Sequence, residues 1–155
     1  MQKIINKIVE ESLTDAIISK LRQFIDGNIT PEKLCDVLNL CPIYHNYKKI
    51  LHNKLILSQY NPQENTIHIY LGSIKEQFDD NFYSQITKAL FHEIFHFLCA
   101  FCNATSLPQN IHEINLALHR KHIEYFRNLI KRFGNINLEL AATIFAEKLL
   151  NEATR

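Results

Sequence analysis

An α+β fold, mostly helical, is predicted by three observations. Apolar residues recur near a 3.6-residue spacing over most of the chain, and one central stretch alternates with period two instead. Only three glycines and four prolines interrupt the pattern. In the first segment Ile4, Ile5, Ile8, Ile17, Leu21, Phe24 and Ile25 fall close to one helical face, and Asp26-Gly27-Asn28 ends the run. Thr30-Pro31-Glu32 supplies an N-cap, an N1 proline and a first-turn acid. It opens a short second helix to about Leu40, which Pro42 stops, so residues 1–40 read as N-terminal helices.

Residues 55–71 change character. LILSQ and TIHIYL are β-rich, and Ile67, Ile69 and Leu71 alternate with Thr66, His68 and Tyr70. Tyr60-Asn61-Pro62-Gln63-Glu64-Asn65 carries turn chemistry between them, which predicts a hairpin or two adjacent strands. After an acidic loop around Asp79-Asp80 a helix is expected over 82–102. Its second half, ALFHEIFHFLCAFC, is apolar on every side except for His92, Glu93 and His96, the composition of a buried central helix. Ser106-Leu107-Pro108 breaks the chain. A long helix from about Gln109 to Phe133, closed by Gly134-Asn135, and a last one from about Asn137 to Ala153 make 109–153 the C-terminal helices. The last places Leu138, Ala142, Phe145 and Leu149 on one face. No linker, repeat or composition shift divides residues 1–155, so one domain is expected.

The 155 residues are 46% hydrophobic and 21% charged, which excludes disordered and collagen-like classes. Seventeen Lys+Arg against sixteen Asp+Glu give a net charge of +1, so bulk charge does not indicate direct nucleic-acid binding. No apolar run reaches the roughly 20 residues of a membrane helix, so no membrane partner is expected. The N-terminal MQKIINKIVEESLTDAI meets glutamates too early for a signal peptide, and a cytoplasmic location is expected. Cys99 and Cys102 form a Cys-x-x-Cys with no second pair at matching spacing; with Cys35 and Cys41 they read as buried free thiols.

His92-Glu93-Ile94-Phe95-His96 is an H-E-x-x-H. Residues i and i+4 of a helix share a face, so both imidazoles can reach one metal ion. Glu93 lies beside them, where it can hold a water and take its proton. Two histidines and a glutamate left unpaired in an apolar helix would cost several kcal/mol, a cost that Zn²⁺ removes. A third ligand must come from downstream. Glu139, in ELAATIFAEKLL beside small Ala142 and Ala146, is one candidate; His122, amid Leu118, Tyr125, Phe126, Leu129 and Phe133, is another. His112 and His119 also remain open.

At these residues the chain resembles two groups of H-E-x-x-H zincins. HEIFH followed by E-x-x-A-x-x-F-A-x-x-L-L, with TIHIYL before it and TPEKLCDVLNL upstream, is similar to ImmA/IrrE-type metallopeptidases. That resemblance implies a zincin-like minimal metallopeptidase, with a small sheet or hairpin packed on the central helix. It also implies Glu139 as third ligand and a repressor or other DNA-bound regulator as substrate. HIEYF resembles the H-G-x-x-F segment of SprT-like proteases, with Ile123 in place of glycine. That resemblance implies His122 as ligand and DNA-attached proteins as substrates.

The expected function is zinc-dependent cleavage of a protein or peptide substrate, with Glu93 as general base. His119, His122 and Tyr125 are candidate oxyanion donors where they do not ligate metal. The strand Thr66–Leu71 is the expected cleft edge. The rival class is a non-catalytic binding protein on the same scaffold. Oligomeric state is left open.

Overall fold

A computed structural model describes residues 2–23, 25–38, 40–64, 66–103, 120–133 and 136–153, with side chains from Ile8 onward except those of 101–124 and 153. It is α+β and mostly helical. In order come α1 (Gln2–Leu21), α2 (Pro31–Leu38), β1 (Cys41–His45), β2 (Lys49–Leu51), β3 (Lys54–Ile56), β4 (Ser58–Asn61) and β5 (Thr66–Tyr70). There follow α3 (Leu71–Gln77), a 3₁₀ turn (Asp79–Asn81), α4 (Phe82–Asn103), α5 (Arg120–Phe133) and α6 (Leu138–Ala153). None of the described helices is long and apolar enough to cross a membrane.

Local chemistry accounts for several boundaries. Thr30 caps α2, its hydroxyl accepting from Lys33 N at 3.2 Å, and Pro31 opens the helix where its missing N–H is not needed. Asn137 caps α6 by accepting from Leu140 N at 3.1 Å. The β4–β5 turn is held by Asn61, whose side-chain oxygen accepts from Gln63 N at 3.0 Å. Gly27, with φ +75°, reverses the chain before α2.

β4 and β5 pair antiparallel from Ser58↔Ile69 to Asn61↔Thr66, as the turn chemistry predicts. Three features were not foreseen. β1 lies parallel to β5, Cys41 opposite Thr66 and His45 opposite Tyr70. Pro42 hides this strand in the sequence, but at a sheet edge the missing N–H faces no partner. β2 and β3 form a separate hairpin turned by His52 and Asn53, both at positive φ. Leu71 starts α3 instead of ending the strand, so the period-two pattern stops at Tyr70.

The order β1-β5-β4 corrects the expected cleft edge. β5 is paired on both sides over Thr66–Tyr70, so it has no row of backbone groups left for a substrate; β1 and β4 are the edge strands, and β4 is the one that lines the groove along its length. One face of β5 enters the core through Ile67 and Ile69, both 0% exposed. Opposite them α4 buries Phe91, Ile94, Phe95 and Phe97. Phe145 of α6 packs against Phe91 and Phe95, and Ala142 and Ala146 let the two helices approach closely. From α1, Leu13, Ile17 and Leu21 complete this core, while Ile8 stays exposed. Leu138, expected on the buried face of α6, is exposed because it stands at the helix start beside an open groove. Ile4, Ile5, Phe24, the start of the long helix and Gly134-Asn135 lie outside the described residues or side chains.

Candidate metal centre

α4 carries HEIFH at its middle, and the 3.6-residue repeat places His92 and His96 one turn apart on one face. Their Nε2 atoms are 3.2 Å apart. The first turn of α6 brings Glu139 across from them, with Oε2 3.1 Å from His92 Nε2 and Oε1 2.8 Å from His96 Nε2. The potential ligand atoms of all three lie within 4.8 Å of one another. Among the described residues this is the one such group of three or more.

The donor set is two imidazole nitrogens and one carboxylate, which suits zinc and leaves a fourth tetrahedral position open. Burial holds His92 below its ordinary pKa; the Glu139 carboxylate pulls it upward, but by less. The neutral imidazole is the ligating form, so the pocket favours the state a metal requires.

Glu93 points from the same helix turn into a drier environment and is 5% exposed. Ser58, at the start of β4, donates its hydroxyl to Glu93 Oε2 at 2.6 Å. Burial pushes the Glu93 carboxyl up to about 7; the Ser58 hydrogen bond works against this and the Glu139 charge adds to it. A carboxyl poised near neutrality and beside the histidine pair is suited to exchange protons with a bound water.

Glu139 itself is exposed, so its position depends on how the start of α6 is held. Glu10 of α1, 1% exposed, accepts from Asn137 N at 2.7 Å. A buried carboxylate at a helix N-terminus also complements the helix dipole. Neither Ser58 nor Glu10 stands out in the sequence, because both act through packing between distant segments.

Tyr125 is 42% exposed, stacks under Lys20 Nζ on α1 and does not line the groove at the centre, so it is not placed as an oxyanion donor. His112, His119 and the side chain of His122 lie outside the described residues and side chains. Cys35 and Cys99 are buried free thiols, whereas Cys41 is exposed, because β1 turns it to the outer face of the sheet. The side chain of Cys102 lies outside the described set.

The three-residue group opens onto a groove of about 1210 Å³. One wall is the α4 face from Gln85 to Ala100, with Leu138, Glu139 and Thr143 of α6 beside it. The other wall runs from Leu55 through β4 to Pro62 and on to His45, His68 and Tyr70. Comparison of the chain with models of known families, with curated proteins and with solved structures returns no match.

Proposed function

We propose that the protein is a zinc-dependent endopeptidase, with His92, His96 and Glu139 as metal ligands and Glu93 as general base. The observation that carries this reading is the convergence of His92, His96 and Glu139 within 4.8 Å, with a buried glutamate of raised pKa next to it. Zinc, when bound, supplies Lewis acidity toward a carbonyl oxygen and lowers the pKa of a water to near 7. Glu93 takes the proton of the attacking water and delivers it to the leaving amine. Ser58 fixes the rotamer of Glu93 through its 2.6 Å hydrogen bond, so the carboxylate is oriented before substrate arrives.

Substrate backbone can add as a strand along β4, the sheet edge that lines the groove. Ser58 and Tyr60 of β4 face α4, where Tyr60 packs edge-on against Phe97, so a peptide on that edge passes alongside Glu93. A repressor, another DNA-bound regulator or a DNA-attached protein is the substrate class that the zincin resemblances favour.

The test is cleavage of unfolded casein by zinc-loaded protein. Wild type is expected to cut it, and Glu93→Gln to retain zinc and cut nothing, because an amide keeps the shape but takes no proton. Cleavage retained by Glu93→Gln would overturn the base assignment. Zinc binding without cleavage by either form favours the non-catalytic scaffold.

A further inference from the structure

We propose that the groove selects substrates with acidic side chains, and that Lys49 is the residue that sets this preference. The inference rests on the reading of the groove as a peptide site. Its first support is the charge of the lining. Outside the metal centre, the described groove residues include Lys49, Lys88, His45 and His68 but no carboxylate. Lys88 is paired with Glu147 at 3.3 Å. No described carboxylate lies within 4.0 Å of Lys49 Nζ, which sits 5.3 Å from the centroid of the Tyr70 ring. The sequence from Val37 to Gln63, which builds β1 to β4, contains three lysines and no Asp or Glu. Once Glu93 and Glu139 are engaged by the metal centre, and with Lys88 held by Glu147, the charge left in the described groove lining is the Lys49 ammonium.

The second support is the geometry of β4. Side chains alternate across a strand, so Gln59 points away from α4, and it accepts from the Tyr70 hydroxyl at 2.8 Å. There it joins Tyr70, His68, His45 and Lys49. A substrate strand on the β4 edge alternates likewise, presenting every second side chain to the Lys49 side. The imidazoles hold this wall in place: His45 Nε2 and His68 Nδ1 share a hydrogen bond at 2.9 Å, and His45 stacks on Tyr70. Tyr70 is 3% exposed, so its ring face is covered and offers no platform to a nucleobase. A carboxylate side chain reaching Lys49 fits this wall better than a flat base does.

The experiment uses the full chain carrying Glu93→Gln, with zinc, so that peptide is not consumed. Fluorescein-labelled, end-blocked peptides that differ only in carrying Glu, Gln or Lys at alternate positions are titrated by anisotropy at low salt. The Glu peptide is expected to bind at least about threefold tighter than the Lys peptide, with the gap shrinking as salt rises. Lys49→Met is expected to abolish the preference while keeping the apolar stem over Tyr70, and Lys49→Glu to reverse it. Lys48→Glu makes the same charge change at a residue paired with Glu76 and absent from the groove lining, and should leave the preference in place. Circular dichroism of each variant reports folding. Equal binding of the three peptides, no binding of any, or a preference that survives Lys49→Glu would overturn the inference. So would a single-stranded oligothymidylate that outcompetes the Glu peptide, which would assign the wall to nucleic acid. Failure to bind zinc, read separately by titration, contradicts the metal centre and leaves the peptide comparison readable.

Discussion

At Glu93 two effects oppose one another: burial lifts the carboxyl pKa from 4.5 to about 7, while the Ser58 hydroxyl favours the ionised form. In the metal-free protein the folded state therefore holds a proton over pH 4.5 to 7 that the unfolded state releases. Stability falls as pH rises through that window, and the penalty is complete above about 7. Gln at this position is neutral at every pH and still accepts from Ser58. Metal-free Glu93→Gln should thus exceed wild type in stability at pH 8, by on the order of 3 kcal/mol, with the gap closing toward pH 4.5. Urea denaturation at the two pH values checks this, and a variant less stable at pH 8 contradicts the buried-charge account. His92, Glu93 and His96 were legible in the sequence because their relation is local to one helix. Glu139 shared its place with His122 there, since which residue of another helix meets the histidine pair is fixed by tertiary packing that spacing does not encode.

Elements hold the site through contacts that sequence patterns miss. Asn137 N at the start of α6 depends on the buried Glu10 of α1. Glu10→Ala should cost about 1–3 kcal/mol by leaving that N–H without an acceptor in a dry environment, and Glu10→Gln, which keeps an oxygen there, should cost less. Equal losses in chemical denaturation would show that the hydrogen bond is not what matters. Gly72 of α3 lies against the loop leading to β2; a Cβ there would come 2.5 Å from Tyr47 C and 2.6 Å from Lys48 N. Backbone cannot yield as a flexible side chain does, so Gly72→Ala should destabilise by about 1–3 kcal/mol, read as a lower Tm. An unchanged Tm would mean that the loop moves freely. The β4–β5 hairpin was readable from Asn61-Pro62 and the alternation after it, and α2 from its cap. β1 was not, because a proline and a partner far along the chain both mask a parallel edge strand.

Across the described residues, one apolar cluster joins α1, α2, β5, α3, α4, α5 and α6, and His92, Glu93 and His96 of α4 interrupt it where the groove opens. The predominance of helix followed from periodicity. Which strand lies at the edge, and therefore where a substrate can add, depended on sheet order, which no single segment carries. The central claim is that helices distant in sequence meet to hold one metal ion, and zinc titration of the full chain against a competing chromophoric chelator tests it most directly. Wild type should take up about one equivalent, and His92→Ala, His96→Ala and Glu139→Ala should each weaken binding by orders of magnitude, with His122→Ala retaining it. No uptake by folded wild type, or uptake lost in His122→Ala and kept in Glu139→Ala, would contradict the account.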